Sequence, residues 1–211
     1  MRVSPAGLAL IQAWEGIEDG DPSTVLLDPY IDMVGIYTIG WGHVLLTPAG
    51  QQININVFGR AKAKTLATQA MIRMFGVPAI TREKAEELLR ADIVSFENAV
   101  AGMVAKDTTQ NQFDAMVAFA FNVGKTGLSK SSLLRLHNAG KRAVGTLDVA
   151  NLIATSKAQK APTNIPQGFT SWSYAAKKWT RGLFRRRCSE ALVYGGMPGA
   201  QAFKQVQAYA A

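Results

Sequence analysis

The sequence predicts an α+β fold that is predominantly helical, with a small β-hairpin region and a larger helical region. Much of the chain places apolar residues at helical spacing, as in residues 82–104, where Ala85, Leu89 and Ile93 share one face. Residues 30–43 differ, because they read YIDMVGIYTIGWGH. In that stretch β-branched and aromatic residues flank Gly35, which stands where a turn is needed.

The composition is that of a globular protein with a basic surface. The chain has 211 residues, which fits one domain or two lobes that share a connecting helix. Its formal net charge of +8 favours acidic partners, namely nucleic acid, an anionic membrane surface or a bacterial cell wall. Charge alone does not choose among them. The single cysteine, Cys188, excludes an internal disulfide and fits a reducing compartment.

Neither a membrane span nor a signal peptide is expected from the sequence. No stretch approaches the roughly 18 apolar residues that a spanning helix needs. The N-terminus is a better helix start, with Ser4 as N-cap and Pro5 in the first turn of a helix over residues 4–15. Glu15 shares a face of that helix with Leu8 and Ile11, and it is either a proton donor or a surface residue at the helix end.

The hairpin stretch supplies a second acid and a hydroxyl. Asp32 is either a catalytic base, with Thr38 holding a water beside it, or a residue whose side chain stabilises the turn.

Residues 18–29 predict an acidic, turn-rich loop before the hairpin. The alternation in QININV, residues 52–57, predicts a further strand after it.

The second half of the chain predicts mainly helices. Asp92 falls on the apolar stripe of the 82–104 helix and therefore needs a partner, for which one of the two histidines is suited. Thr109 and Gln112 form a capping box at the start of another predicted helix, which Gly124 ends. The remaining segments are predicted as helices over 60–75, 131–138, 143–155, 172–179 and 183–195, a loop over 160–171, and an appended tail over 196–211.

Several chemistries are poorly supported by these residues. His43 and His137 are isolated and there is one cysteine, so we expect no metal and no cofactor. The sequence has no Gly-rich phosphate loop and no serine in a glycine elbow. Carboxylates remain, and an acid on a helix facing an acid and a hydroxyl on a small sheet is suited to glycoside hydrolysis.

Five stretches together are similar to one known family. They are Glu15-Gly16 with residues 30–43, ITREKAEELLRAD (80–92), TQNQFDAMVAFAFNVG (109–124), SSLLRLHNAG (131–140) and RGLFRRRCSEALVYG (181–195). This combination resembles the phage-type lysozymes, the endolysins of glycoside hydrolase family 24. The resemblance covers most of residues 4–195.

The resemblance implies a two-lobed lysozyme-like fold. Residues 1–195 would form a single catalytic domain, followed by the tail over 196–211. Within that domain, about 16–80 would form the small lobe and about 81–105 the connecting helix. Residues 106–195 would form the helical lobe together with the N-terminal helix.

The resemblance also implies the reaction and its residues. The substrate would be the β-1,4 bond between N-acetylmuramic acid and N-acetylglucosamine in peptidoglycan, cleaved with inversion. Glu15 would be the proton donor, Asp32 would activate the attacking water, and Thr38 would help to place it. The positions that contact sugar would be Tyr30, Val44, Phe121 and Ser132.

Two further pairings are implied. His43 of the hairpin would form a structural ion pair with Asp92, which independently needs a partner. An arginine of the late helix, with Arg186 chosen among its neighbours, would meet the catalytic Glu15. The alternative for Arg185–Arg187 is a solvated basic face that binds anionic wall polymers or nothing.

One departure from the family pattern concerns the loop before the hairpin. Sixteen residues separate Glu15 from Asp32, where the family usually has eight, so residues 18–29 contain an insertion. The usual spacing would place the base at Thr24, which has no carboxylate, and Asp21 and Asp28 are rival candidates. We retain Asp32 because its register to the rest of the hairpin is intact.

The expected role is that of a phage or prophage endolysin in host cell lysis. It would stay in the host cytoplasm until a holin-formed lesion releases it to the periplasm or wall, with no direct holin contact. We expect a monomer without nucleic acid and without stable membrane insertion. Alternatives are an antibacterial effector, a virion-associated lysozyme, a structural phage protein, and a basic protein with a decayed active site that binds nucleic acid or wall polymer.

Overall fold

The computed structural model describes residues 1–209 and confirms a predominantly helical α+β fold, with 56% of the chain in helices. The helices are α1 Pro5–Glu15, α2 Ile55–Phe58, α3 Arg60–Phe75, α4 Arg82–Met103, α5 Gln110–Val123, α6 Lys125–Ser129, α7 Ser132–Asn138, α8 Val149–Lys157, α9 Ile165–Thr170, α10 Arg181–Tyr194 and α11 Gly199–Gln207. The strands are β1 Tyr30–Ile31, β2 Tyr37–Ile39, β3 His43–Val44, β4 Tyr174–Ala175 and β5 Lys178–Trp179.

The chain divides into two compact units. The hairpin unit is Glu15–Asp92, and the helical unit is Met1–Trp14 together with the chain from Ile93 onward. Each boundary falls inside a helix, at the end of α1 and in the middle of α4. The domain boundaries drawn from the family resemblance, with one catalytic domain over residues 1–195, stay a prediction.

The hairpin unit is built on an antiparallel sheet in the order β1-β2-β3. Tyr30 pairs with Thr38, and Ile39 pairs with His43, so the predicted hairpin gains a third strand after the second turn. Gly35 has φ of +88°, a conformation that glycine adopts without steric cost in the turn between β1 and β2. Ile39 is fully buried and anchors the sheet in the core of this unit.

The strand predicted over residues 52–57 is wrong for its second half. Gln52 and Asn54 each form only a single bridge, to Leu46 and Ile36. The chain then enters α2, because the Asn54 side chain accepts a hydrogen bond from the Asn56 N–H at 2.7 Å and caps the helix. The Asn54 cap therefore starts a helix where the alternation of polar and apolar residues predicted a strand.

The helical unit has α5 and α10 among its central elements. Phe113, Met116 and Val117 of α5 are fully buried, as their spacing predicts. The capping box at the start of α5 is confirmed, and the Thr109 N–H donates to Gln112 Oε1 at 3.1 Å.

Residues 160–179 depart from the sequence prediction. The predicted loop contains α9, because the Asn164 side chain accepts from the Gln167 N–H at 3.0 Å and Pro166 suits the first turn. The predicted helix over 172–179 is instead the β4–β5 hairpin. Its turn holds Ala176 and Lys177 at φ of +47° and +65°. Neither residue is the Gly, Asn or Asp that favours such a turn, so the sequence carries no hairpin signal here.

Two other segments also differ from the prediction. The helix predicted over 143–155 begins later, at α8, since Asp148 caps it by accepting from the Asn151 N–H at 3.0 Å. The tail expected to be an appendage contains α11, in which Ala202 and Val206 are fully buried. Residues 210–211 of that tail lie outside the described residues.

His137 is buried in the helical unit within a chain of hydrogen bonds. The Thr108 hydroxyl donates to the Ala105 carbonyl oxygen at 2.5 Å, so it accepts from Nε2–H of His137 at 2.8 Å. Nδ1 of the ring then accepts from the Tyr194 hydroxyl at 2.7 Å. Burial, reinforced by the charge of Arg142, lowers the pKa of His137 to about 4, so the ring is neutral in the folded protein near neutral pH.

This histidine predicts acid sensitivity of the fold. In the unfolded chain His137 binds a proton below about pH 6.5. In the folded chain its lowered pKa delays protonation until about pH 4. Stability should therefore fall as pH drops through that window, by up to about 3 kcal/mol from this group. Urea unfolding of wild type and His137→Gln between pH 7 and pH 4 measures the difference. A variant that loses stability as steeply as wild type would contradict the prediction.

Candidate functional site

The predicted catalytic residues all belong to the hairpin unit. Glu15 is partly buried and is the last residue of α1. Three residues later, Glu18 forms an antiparallel bridge with Gly40, directly after β2. Because three residues span at most about 10 Å, this bridge keeps the backbone of Glu15 close to the sheet.

Asp32 stabilises the hairpin turn. Its Oδ1 accepts hydrogen bonds from the N–H groups of Val34 at 2.9 Å and Ile36 at 2.8 Å. The turn-stabilising role considered in the sequence analysis is thus present. Both bonds use Oδ1, which leaves Oδ2 as the oxygen suited to interact with a water. The two roles of Asp32 are compatible.

Tyr30 and Thr38 face each other across β1 and β2. Thr38 is only 2% exposed, and its hydroxyl lies 3.5 Å from the Tyr30 carbonyl oxygen. Burial raises the pKa of the Tyr30 phenol, and the carboxylates of Glu18 and Asp32 raise it further. The sheet therefore brings Tyr30, Thr38 and Asp32 together.

Glu18 is a neighbouring acid that the sequence analysis did not single out. Its charge acts on the Tyr30 phenol, and its backbone pairs with the end of the sheet. The only sequence signal is that it follows Glu15 by three residues at the start of an acidic loop. Without the bridge to Gly40, nothing in the sequence distinguishes Glu18 from the other acids of that loop.

The rival acids lie in the inserted loop. Asp21 Oδ1 accepts from the Ser23 hydroxyl at 2.5 Å and from its N–H at 3.1 Å, and these bonds hold the pKa of Asp21 below its usual value. Asp28 accepts from the Thr24 hydroxyl at 3.3 Å. Leu27 is bridged to Ile80, which pins the loop to the chain just before α4. Both rival acids line a cavity of about 550 Å³ that Tyr30 also lines.

His43 and Asp92 lie together in the hairpin unit. Nδ1 of His43 is 3.0 Å from Oδ1 and 2.9 Å from Oδ2 of Asp92. The side chains are 24% and 34% exposed, so the contact is partly screened by solvent. The contact joins β3 to α4, and the structural role of this pair stays a prediction.

We expect Asp92→Asn to lower the free energy of unfolding by about 1 kcal/mol, because it weakens a charge-assisted contact at a partly exposed pair. Urea unfolding measures this effect. The matched control is Glu87→Gln, which alters an exposed pair with Lys84 on the same helix and should change stability less. An equal effect of the two substitutions would count against a structural role for His43 and Asp92.

The predicted sugar-contacting residues are divided between the two units. Val44 of β3 is partly buried and pairs with Thr38, whose partner on the other side of the sheet is Tyr30. In the helical unit, the ring of Phe121 lies 5.2 Å from that of Phe96. Ser132 begins α7 and lines a cavity of about 620 Å³.

The solvated basic face considered for Arg185–Arg187 is wrong for its last two residues. Arg187 is fully buried, and its Nη2 lies 3.0 Å from Oε1 of Glu190, which is also fully buried. Arg186 is 6% exposed, and its Nε lies 3.4 Å from the same oxygen. Both arginines thus contribute to the interior of the helical unit, and the predicted contact of Arg186 with Glu15 stays a prediction.

The described residues contain no group of three or more His, Cys, Asp or Glu side chains arranged to hold a metal ion. Within residues 1–209, no helix combines the length and the apolar character that crossing a membrane requires.

Similarity to known proteins identifies the class of fold. The chain resembles the endolysin of the Escherichia coli O157:H7 phage FAHEc1 with 28% identity and a TM-score of 0.60, over 92% of this chain and 93% of that one. It resembles a mutant P22 lysozyme with 26% identity and a TM-score of 0.60, over 93% of this chain and 99% of that one. The architecture is therefore that of a lysozyme.

Comparison of sequences assigns the chain to one family within the proteins of this fold. The family model described as phage lysozyme matches residues 23–148, and the chain belongs to the phage lysozyme family. The endolysin of Bacillus phage B103 is 30% identical over 92% of this chain, which spans only 54% of that relative's length. The family match includes Asp32 and Thr38, whereas Glu15 lies ahead of it.

Proposed function

We propose that the chain is a peptidoglycan hydrolase, a muramidase that cleaves the β-1,4 bond between N-acetylmuramic acid and N-acetylglucosamine. The observation that carries the proposal is the grouping of Asp32, Thr38 and Tyr30 in one small hairpin, in a member of the phage lysozyme family. Relatives named endolysin support the same activity.

The proposed mechanism uses two carboxyl groups. Glu15 protonates the leaving glycosidic oxygen, while Asp32 takes a proton from the water that attacks the anomeric carbon. Thr38 helps to place this water. Inversion requires a separation of about 6.5–9.5 Å between the two carboxyl groups, so that the water fits between Asp32 and the sugar. Val44, Phe121, Ser132 and Tyr30 contact the sugars.

The proposed role is that of a phage or prophage endolysin. The protein would remain in the host cytoplasm until a holin lesion admits it to the wall, and it would act there as a monomer. No direct contact with the holin is part of this proposal. The net charge of +8 favours approach to an anionic wall.

Mass analysis of purified peptidoglycan digested by the protein tests the reaction. Reducing muramic acid ends are the expected product. A 1,6-anhydro product would indicate a lytic transglycosylase and contradict hydrolysis. Intact peptidoglycan after prolonged incubation would instead favour a binding or structural protein.

Alanine substitution of three acids tests the assignment of the base. We expect Asp32→Ala to lower the rate of hydrolysis by about 10²–10⁴-fold, because general-base assistance is lost. Asp21→Ala and Asp28→Ala are matched controls in the inserted loop and should retain most of the activity. Release of reducing ends per unit time is the measurement.

Because Asp32 also stabilises its turn, the folded state of each variant is checked by thermal unfolding. A folded Asp32→Ala protein with activity close to wild type would overturn the assignment. Loss of activity in Asp28→Ala, with Asp32→Ala still active, would reassign the role of catalytic base to Asp28 in the inserted loop.

A further inference from the structure

Trp14 is the residue directly before Glu15 in α1, and a buried serine of the helical unit holds its indole. Trp14 Nε1–H donates a hydrogen bond to the Ser189 hydroxyl oxygen of α10 at 2.8 Å. Ser189 is fully buried, and its own hydroxyl donates to the Arg186 carbonyl oxygen at 2.7 Å. Because that bond uses the hydroxyl proton, the Ser189 oxygen is left to accept from the indole.

The tail helix α11 supplies a second partner for Trp14. The ring of Phe203 meets the indole edge to face, with centroids 5.0 Å apart and an angle of 78° between the ring planes. Aromatic pairs favour this arrangement, which stabilises them beyond the area that they bury. The hydrogen bond fixes one atom of the indole and the ring contact restrains its plane, so Trp14 has little freedom to move.

α11 is itself fastened at both ends. A Cβ added to Gly199, its first residue, would overlap the Ala6 carbonyl oxygen and lie 2.8 Å from the Leu10 backbone nitrogen, so only glycine allows this approach to α1. Beyond the other end of α11, the Tyr209 carbonyl oxygen accepts a hydrogen bond from Arg185 Nη2 of α10 at 2.9 Å. The tail helix is therefore a fixed support for α1.

These contacts bear on Glu15 because it is the last residue of α1. The carbonyl groups of a final helical turn lack partners within the helix, and helix ends fray. Here the chain is held on both sides of Glu15, by the contacts of Trp14 before it and by the bridge from Glu18 to Gly40 after it. A catalytic acid has to be held to within about 0.5 Å of its productive position, so such anchors affect the rate.

We propose that Trp14, Ser189 and Phe203 are positioning residues for the proton donor, and that α11 orients the catalytic acid instead of being an appendage. The proposal rests on the proposed function, in which Glu15 protonates the glycosidic oxygen. The three side chains act through the last turn of α1, because Trp14 is joined to Glu15 by the helix backbone. They take no part in the proton transfer.

Hydrogen exchange of the backbone amides at the end of α1 tests the anchor without using the reaction. In Phe203→Leu we expect the Trp14 and Glu15 amides to exchange up to about tenfold faster, as the loss of one aromatic pair implies. Phe203→Tyr keeps the ring and should exchange like wild type. Trp172→Leu is the matched control, because it removes an edge-to-face contact with Phe119 elsewhere in the helical unit, and both amides should be unaffected.

Steady-state kinetics on soluble peptidoglycan fragments test the positioning role. Phe203→Leu should lower kcat by about 10-fold to 10²-fold, because a displaced acid transfers its proton poorly, while KM stays near the wild-type value. Phe203→Tyr should restore kcat. In Glu15→Gln, which cannot donate the proton, adding Phe203→Leu should cause no further loss. Ser189→Ala, a milder change that leaves the indole N–H without its acceptor, should also lower kcat and serves if Phe203→Leu does not fold.

Wild-type exchange rates in Phe203→Leu, or equal acceleration in Trp172→Leu, would overturn the anchor at Trp14. A loss of activity carried by KM, or a further loss when Phe203→Leu is added to Glu15→Gln, would overturn the positioning role. Faster exchange in a protein whose wild type does not cleave peptidoglycan would remove the proposed function and the positioning role with it. The exchange measurement therefore distinguishes failure of the anchor from failure of the proposed function.

Discussion

Replacing Glu15 with glutamine is expected to lower the rate of peptidoglycan hydrolysis by about 10²–10⁴-fold. The amide has the shape of the carboxylic acid, so the end of α1 should stay intact. It cannot protonate the glycosidic oxygen, and the leaving group would depart as an alkoxide. Release of reducing muramic acid ends from purified peptidoglycan measures the effect.

Glu18→Gln is the companion variant, because it makes the same chemical change three residues along the chain. The charge of Glu18 acts on the Tyr30 phenol and its backbone pairs with Gly40, so Glu18 is the acid most easily confused with Glu15. We expect the proton donor to be lost only in Glu15→Gln. If Glu18→Gln were inactive while Glu15→Gln stayed active, the donor would have to be reassigned to Glu18.

Replacing Glu190 with alanine should destabilise the fold strongly, by about 3–5 kcal/mol. Its carboxylate lies fully buried within 3.4 Å of both Arg186 and Arg187. The substitution removes this negative charge from two guanidinium groups that remain in the interior, where desolvated charge is costly. The loss of stability should greatly exceed the loss caused by removing one hydrogen bond.

Other contacts limit how far the cluster can rearrange. Arg187 Nη2 donates to Asn122 Oδ1 at 2.7 Å, and its guanidinium lies 4.9 Å from the ring centroid of Phe119. Burial, with the charge of Glu190, also raises the pKa of the Cys188 thiol to about 12, which indicates a poorly solvated environment. Water is therefore a poor substitute for the missing carboxylate.

Urea unfolding compares Glu190→Ala with Glu87→Ala, a matched change at an exposed glutamate of α4. The control should lose less than about 1 kcal/mol, because its pair with Lys84 is exposed to solvent. If Glu190→Ala does not fold, Glu190→Gln provides a milder variant that should still unfold at lower urea than wild type. Wild-type stability in Glu190→Gln would show that the buried charge is unimportant.

Local signals in the sequence were sufficient for the regular helices. α3, α4, α5 and α10 were predicted nearly at their observed bounds, because each combines helical periodicity with a cap or a glycine stop. The register of Tyr30 and Thr38 was also predictable, since it follows from alternation around the Gly35 turn. These features depend on neighbours within a few residues.

The elements that were mispredicted depend on distant partners. α11 is short, and it is packed because Ala202 and Val206 are buried against the rest of the helical unit. The β4–β5 hairpin contains Ala176 and Lys177 at its turn, and its fixed position depends on hydrogen bonds such as Trp179 to Ser156. The spacing of residue types within a few positions of the sequence does not predict such tertiary contacts.

The candidate site shows the same division. The sequence by itself determined which side chains are candidates for the chemistry, namely Asp32 and Thr38 from residue type and hairpin register, and Glu15 from residue type and its place at the end of the first helix. Their catalytic roles stay a prediction. Only the tertiary structure decided that Thr38 is buried, that Glu18 pairs with Gly40 at the end of the sheet, and that Arg187 points inward to Glu190. The physical reason is that charge, burial and pKa depend on contacts made across the fold, which the order of residues along the chain does not specify.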